Sequence, residues 1–143
     1  MTASDTVIST DKDLLDIGYI HQFLTTTYWA KGIPRAAVEK SIRNAFCFGV
    51  YQGGQQVGFA RVITDFTTFA YIGDVFIDAG QRGRGLGKQL IAAIVGHEAL
   101  QGLRRWHLLT ENAHGLYRRF GFVTPEEPFR HMERRLTPDY SSL

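Results

Sequence analysis

The segment Gln81–Gln89 reads QRGRGLGKQ, with glycine at every second position of its centre and a positive residue on either side of the first glycine. A β-rich run that ends at Asp78 precedes the segment, and a helical stripe of apolar residues follows it. The first N–H groups of a helix have no intrahelical acceptor, and the helix dipole favours negative charge there. Glycine lets a large anion approach closely. The segment therefore predicts a strand, a phosphate-binding loop and a helix in succession. The residues predicted to surround the phosphate are Arg82, Gly83, Arg84, Gly85, Leu86, Gly87 and Lys88.

Two common phosphate-binding patterns do not fit this segment. A Walker A loop needs GxxxxGK followed by Ser or Thr, whereas Lys88 is followed by Gln89 and Arg82 stands in place of the first glycine. A dinucleotide-binding fingerprint needs GxGxxG, whereas the glycines here run GxGxG. The pattern that fits is RxxGxG, formed by Arg82, Gly85 and Gly87. A plain tight turn is the remaining alternative.

The rest of the sequence predicts a single mixed α/β domain over residues 1–143. A chain of 143 residues with 44% apolar side chains can bury a sizeable core. The predicted strands are Thr6–Ser9, Phe46–Tyr51, Val57–Thr64, Phe69–Asp78, Trp106–Thr110, Phe122–Thr124 and His131–Leu136. The predicted helices are Asp13–Tyr28, Pro34–Asn44, Leu86–Leu100 and Ala113–Phe120. This order indicates the α/β (α+β) class, with a mixed, mainly antiparallel sheet of about six or seven strands flanked by about four helices.

Composition and charge exclude several classes of protein. Sixteen basic against fourteen acidic residues give a formal net charge of +2 without a long run of one sign, so neither a nucleic-acid nor a membrane partner is indicated. Cys47 is the single cysteine, which excludes an intrachain disulfide. The start of the chain lacks the regions of a secretory signal, and no apolar run approaches the ~20 residues that span a bilayer. The histidine spacing predicts no metal site. We expect a cytoplasmic protein.

A second motif, AHGLYRRFGF at Ala113–Phe122, follows the glycine segment. The two motifs in this order resemble the GNAT superfamily of acyl-coenzyme A dependent N-acyltransferases, whose pyrophosphate loop has Gln or Arg, then xxGx, then Gly or Ala. The family's second signature has the form AxxLYxxLGF, with Phe also found at its second leucine. The resemblance covers nearly the whole chain. In one departure, Thr110 stands where the family has an asparagine, seven residues before Tyr117, so Asn112 is the substitute candidate for the contact to the pantetheine arm.

The resemblance implies a V-shaped gap between the fourth and fifth strands, where acetyl-CoA would bind as the acyl donor. The pantetheine arm would pair with the edge of the fourth strand at Val75, Phe76 and Ile77. A backbone N–H of Val75 or Phe76 would hold the thioester carbonyl, as a preorganised donor should. By matched position, Tyr117 would donate a proton to the departing thiolate.

The implied reaction transfers an acetyl group directly to an amine, which must lose a proton to a base or a water relay. Asp74 is the candidate base, although alternation along a strand would turn it away from the face of Tyr71 unless a bulge intervenes. The acceptor would be a small-molecule or peptide amine. The residues expected to line its pocket are Tyr28, Trp29, Phe66 and Tyr71. Because members of this family are often dimers, a homodimer is also considered. The alternative function is a non-catalytic acyl-CoA-binding sensor.

Overall fold

The structure, a computed structural model, describes residues 5–136 and residue 140. Its strands are β1 (Thr6–Ser9), β2 (Phe46–Gln52), β3 (Gln55–Thr64), β4 (Phe69–Ile77) and β5 (Arg105–Leu108). Its α-helices are α1 (Ile17–Leu24), α2 (Arg35–Arg43), α3 (Leu86–Val95) and α4 (His114–Arg118). Short 3₁₀ turns occupy Lys12–Leu14, Ala79–Gln81, Glu98–Leu100 and Pro128–Arg130.

The five strands form one mixed sheet in the order β1-β2-β3-β4-β5. The first four strands are antiparallel neighbours, whereas β5 pairs parallel to β4. The parallel pair requires a crossover, which α3 provides. The hairpin between β2 and β3 turns at Gly53 and Gly54, whose φ angles of 56° and 83° lie in the left-handed region that glycine adopts without strain.

The two faces of the sheet bury different sets of apolar side chains. One cluster includes Leu90 and Ile94 of α3 and Tyr117 of α4, packed on the sheet. The other includes Ile20 of α1 and Val38 of α2, packed on the opposite face. Because alternate residues of a strand point to opposite faces, both faces of the central strands are buried. The helices therefore cover the sheet on both sides and leave the functional region at the boundary between β4 and β5.

The α/β class and the mixed, mainly antiparallel sheet are confirmed, but the sheet has fewer strands than predicted. Both closing strands, predicted at Phe122–Thr124 and His131–Leu136, are absent from the described residues. Phe122 packs edge-on against Tyr117, with ring centroids 5.9 Å apart, instead of entering the sheet. Pro125 and Pro128 each lack the N–H group that a strand ladder needs.

All four helices are shorter in the structure than predicted, and the first is shortened most, because local side chains bound it. The helix predicted over Asp13–Tyr28 begins only after Asp16, whose carboxylate accepts a hydrogen bond from the Tyr19 N–H at 3.0 Å. It ends where the hydroxyls of Thr26 and Thr27 donate to main-chain carbonyls. Likewise α3 stops at Val95, before Gly96. In the described part of the chain, no helix is long and apolar enough to cross a membrane.

Candidate active site

Strand β4 continues for five residues after its pairing with β5 has ended. The last pair of the β4–β5 register joins Ile72 to Leu108, whereas β4 runs on to Ile77. Residues 73–77 therefore have an edge that no β5 residue pairs with. This is the gap between the fourth and fifth strands that the sequence comparison implied.

A β-bulge lies within the unpaired part of β4. Arg61 of β3 pairs with Gly73 and Phe59 pairs with Phe76, so Asp74 and Val75 together oppose one residue of β3. Asp74 has a φ of 54°, in the left-handed region. The extra residue breaks the alternation on which the sequence argument depended. The Asp74 carboxylate consequently lies on the same side of the sheet as Tyr71, whose pKa is raised by burial and further by the Asp74 charge.

The segment at residues 73–77 has no β5 partner, while its apolar side chains pack into the core. The Phe76 ring stacks on Phe23 of α1 at a centroid distance of 3.9 Å. Val75 and Ile77 pack against the cluster on the opposite face. These three side chains anchor β4 between the two helical layers. The part of this segment that is left for a ligand is its unpaired peptide edge. The family resemblance implied a pantetheine contact there.

The glycine segment forms the N-terminus of α3, as predicted. Gly83 and Gly85 have φ angles of 82° and 77°, and a Cβ atom added to either would meet no heavy atom within 4 Å. No side chain caps the helix, and the Gln89 N–H donates to the Gly85 carbonyl at 3.0 Å. The N–H groups of residues 86–88 precede that first helical hydrogen bond. The loop therefore presents open space beside helical N–H donors, which suits a phosphate group.

Gly87 places the glycine loop against the other parts of the site. A Cβ atom on Gly87 would lie 4.0 Å from Ile77 of β4 and 4.0 Å from Leu116 of α4. The first turn of α3 thus lies close to both the end of β4 and the helix that carries Tyr117. Gly87 faces these side chains at ordinary van der Waals distance, so it marks where the loop, β4 and α4 meet.

The basic side chains of the loop have different local roles. Arg82 folds back, and its Nε donates to the Ile77 carbonyl at 3.1 Å, which fixes the start of the loop to the end of β4. Arg84 donates to the side-chain oxygen of Gln81 at 3.2 Å. Lys88 is exposed on the first turn of α3. Arg84 and Lys88 thus keep positive charge at the surface of the loop.

Tyr117 lies in α4 with its side chain buried at 8% exposure. Among the described residues its hydroxyl has no hydrogen-bond partner. Burial raises the pKa of this hydroxyl, and the nearby Tyr28 raises the pKa further. The phenol is therefore protonated at neutral pH and available as a donor.

Thr110 and Asn112 precede α4 and have different environments. The Thr110 hydroxyl accepts a hydrogen bond from the Ala113 N–H at 3.0 Å, which caps the turn leading into the helix. Asn112 is exposed. The threonine that replaces the family's asparagine thus has a structural role at this turn.

The structure brings three of the four predicted acceptor residues to one side of the gap. The rings of Tyr28 and Trp29 pack edge to face with centroids 5.1 Å apart. Tyr71 stacks on His107 of β5 at 5.8 Å, on the same side of the sheet as Asp74. Phe66 lies elsewhere. Phe66 lies in the loop before β4, at the opposite end of that strand from the bulge, and its ring packs on Phe46 of β2.

Arg61 is a site residue that the sequence argument missed. Its Nε donates to Asp74 Oδ2 at 2.8 Å, and the two side chains are only 21% and 11% exposed. The signal in the sequence is a single charged residue in the apolar strand VGFARVIT, since a charge in such a setting is normally paired. Among residues 5–136 and 140, no group of three or more His, Cys, Asp or Glu residues could hold a metal ion.

Comparison with known proteins supports the assignment that this geometry suggests. The family model described as "Acetyltransferase (GNAT) domain" matches residues 43–124. "Putative acetyltransferase FG08082" of Gibberella zeae is 33% identical over 139 residues, covering 81% of this chain and 77% of that protein.

Solved structures agree in fold. A crystal structure of a GNAT-family protein from Xanthomonas campestris pv. campestris superposes with a TM-score of 0.89 at 52% identity, covering 92% of this chain and 93% of the other. Rv2747 of Mycobacterium tuberculosis, solved in complex with CoA, has a TM-score of 0.68 at 19% identity, covering 84% and 73% of the two chains. The residues matched by the family model include the glycine loop, the bulged strand and Tyr117. The chain therefore belongs to the GNAT acetyltransferase family.

Proposed function

We propose that this protein is an N-acetyltransferase that transfers the acetyl group of acetyl-CoA directly to an amine, without an acyl-enzyme. One observation carries the proposal. The unpaired edge of β4, at residues 73–77, lies beside the open N-terminus of α3, and the same helical turn packs near Leu116, the neighbour of Tyr117. A diphosphate contact, a pantetheine contact and a proton donor would thus be arranged along one ligand.

The residues of the loop fit the diphosphate of coenzyme A. The space around Gly83 and Gly85 is open, and the N–H groups of residues 86–88 precede the first backbone hydrogen bond of α3. Arg84 and Lys88 add positive charge that strengthens hydrogen bonds to an anion. The Arg82 side chain acts differently, because its Nε is bound to the Ile77 carbonyl and holds the loop in place. Asn112 is retained as a contact to the pantetheine arm.

The chemistry supplied by acetyl-CoA is an activated acetyl group on sulfur. The edge of β4 provides backbone donors for the thioester oxygen, and the N–H of Val75 or Phe76 is the proposed one. Attack by the amine nitrogen forms the C–N bond as the C–S bond breaks, and the nitrogen gives up its proton to a base or a water relay. Tyr117, which is protonated at neutral pH, then donates its phenolic proton to the sulfur.

The acceptor amine would approach from the side of the sheet that carries Tyr28, Trp29 and Tyr71. Phe66 is not included, since it lies at the other end of β4. Cys47 is excluded as an acyl carrier. It is buried, and burial raises its pKa to about 11, whereas an acyl-accepting cysteine needs an accessible thiolate.

The proposal is tested by binding first and turnover second. Thermal unfolding with coenzyme A and acetyl-CoA should show a melting temperature that rises with ligand concentration. Release of free thiol from acetyl-CoA is then measured over a panel of small-molecule and peptide amines. We expect Tyr117→Phe to lower kcat by roughly 100-fold on the best amine, as for loss of a general acid.

Tyr51→Phe is the matched control for Tyr117→Phe. It removes a buried phenolic oxygen that, like that of Tyr117, has no hydrogen-bond partner among the described residues, but on β2, away from the gap. Its kcat should equal that of the unsubstituted protein. Tight binding of coenzyme A with no turnover on any amine would favour the sensor function instead. No stabilisation by coenzyme A would contradict both functions.

A further inference from the structure

Three parts of the chain meet at the Asp74 carboxylate. The indole N–H of Trp29, from the loop between α1 and α2, donates to Oδ1 at 2.9 Å. The Nε–H of Arg61, from β3, donates to Oδ2 at 2.8 Å. Each carboxylate oxygen therefore has one donor, and the charge of Asp74 is balanced by an arginine. We call this set of three residues the bulge cluster.

The backbone of Asp74 is shaped to aim its carboxylate at the loop. Its φ of 54° lies in a region that costs most L-residues free energy and that aspartate tolerates better than most. Such backbone persists where surrounding contacts hold it. The bulge provides the turn, and Arg61 and Trp29 provide the contacts. A regular strand would have pointed this side chain to the other face of the sheet.

Trp29 in turn positions Tyr28. The two rings pack edge to face, with centroids 5.1 Å apart. Hydrogen bonds within the loop close its base: the Gly32 N–H donates to the Thr25 carbonyl, and the Ala30 N–H donates to the Thr27 hydroxyl. In the described part of the chain, the Trp29–Asp74 hydrogen bond is the one that joins this loop to the sheet. Although it projects outward, Trp29 is only 42% exposed.

We propose that Asp74 is a positioning residue that holds the Tyr28–Trp29 pair against the bulge of β4, where the pair forms one wall of the acceptor site. The proposal rests on the proposed function, because an acceptor amine is what the wall would contact. Asp74 then acts through Trp29 and not as the base that removes the amine proton. Acceptor binding depends on the bulge cluster, and coenzyme A binding on the glycine loop does not.

The first test needs no substrate and follows Trp29 by its fluorescence. The chain has two tryptophans, Trp29 and Trp106, so Trp106→Phe leaves Trp29 as the single reporter. Adding Asp74→Ala should free the indole and raise its acrylamide quenching constant about twofold, since Trp29 would go from 42% exposed toward full exposure. Glu39→Gln is the control, because it removes a carboxylate from the exposed Arg35–Glu39 ion pair on α2. It should leave the quenching constant unchanged.

The second test uses kinetics on the natural tryptophan background. Trp29→Phe removes the indole N–H but keeps an aromatic ring. Trp29→Phe and Asp74→Ala should each raise the acceptor KM about tenfold, as for loss of a hydrogen bond to a charged group. The double variant should be no worse than Asp74→Ala alone, because Trp29→Phe removes a hydrogen bond that Asp74→Ala has already broken. The affinity for coenzyme A should be the same in all of them.

Other results would overturn the positioning role. Unchanged quenching in Asp74→Ala would show that the carboxylate does not hold the indole. Loss of kcat in Asp74→Ala with a shifted acidic limb of the kcat/KM profile, and normal kinetics in Trp29→Phe, would assign Asp74 as the base. Failure of coenzyme A to stabilise the unsubstituted protein would instead contradict the proposed function. The quenching result stands apart from that outcome, since it involves no ligand.

Discussion

Replacing Gly85 by alanine should affect two quantities that can be measured separately: the free energy of unfolding and the affinity for coenzyme A. Gly85 and Gly102 have nearly equal φ angles, 77° and 80°, and neither has a heavy atom within 4 Å of an added Cβ. Alanine at either position therefore meets the same backbone strain of about 1–2 kcal/mol. For 143 residues, that lowers the melting temperature by about 3–7 °C. Only Gly85 lies at the proposed diphosphate site, because Gly102 precedes β5, at the far end from the gap.

The melting temperatures of the two variants should respond differently to coenzyme A. At a ligand concentration about 100 times the Kd of the unsubstituted protein, binding contributes about 2.7 kcal/mol, or about 9 °C for this chain length. A methyl group on Gly85 that removes one charge-assisted hydrogen bond costs about 2 kcal/mol, which weakens binding about 30-fold. The same ligand concentration then contributes only about 0.9 kcal/mol, or about 3 °C.

The assay is thermal unfolding of both variants with and without coenzyme A. Gly102→Ala should retain the full ligand-induced rise of about 9 °C, while Gly85→Ala retains about a third of it. An equal rise in the two variants would refute the diphosphate assignment of the loop. A much larger loss of stability in Gly85→Ala without ligand would refute the claim that the space beside it is open.

Three further predictions follow from buried or hydrogen-bonded titratable groups. The Cys47 thiol, buried and with its pKa raised to about 11, should react with a disulfide reagent at least about 100-fold more slowly in the native protein than in denaturant. Burial, then His131 and Arg105, lowers the pKa of His107, so its contribution to stability is present above pH 6.5 and is lost as the pH falls through the lower folded value. The melting temperature of His107→Gln should therefore fall less than that of the unsubstituted protein on acidification. The Thr68 hydroxyl and nearby N–H groups lower the pKa of Asp65, so Asp65→Asn should destabilise the protein above the ordinary aspartate pKa, with the difference vanishing as the pH falls through the folded value.

Local features were predictable from the sequence because short-range chemistry determines them. The glycines of the α3 loop and of the β2–β3 turn adopt the positive φ angles that their residue type allows. The strand, loop and helix around them follow from periodicity. The location of Tyr117 in a short helix follows from the second motif. The family resemblance then gave the gap between β4 and β5, which the register of Ile72 and Leu108 bears out.

Long-range pairings account for what the sequence could not provide. The side to which Asp74 points depends on a bulge, and its partners Arg61 and Trp29 lie 13 and 45 residues away in the chain. Strict alternation ignores such an insertion. The prediction of the two closing strands was wrong for a related reason. The apolar residue Phe122 packs against Tyr117 and does not join a sheet edge. Phe66 was grouped with the acceptor residues by loop position alone, and the fold separates them.

Because β4 is longer than β5, this protein has an unpaired strand edge that is not an open outer edge of the sheet. Free strand edges on the outside of a sheet recruit other chains and lead to aggregation. Here the β4 edge that β5 leaves unpaired, at residues 73–77, is flanked by neighbours: β3 pairs on the other side, the α3–α4 layer packs on one face, and the Ile77 carbonyl accepts from Arg82 Nε. The unpaired edge is therefore only five residues long and bordered by packed layers, which leaves a second polypeptide strand little length for pairing.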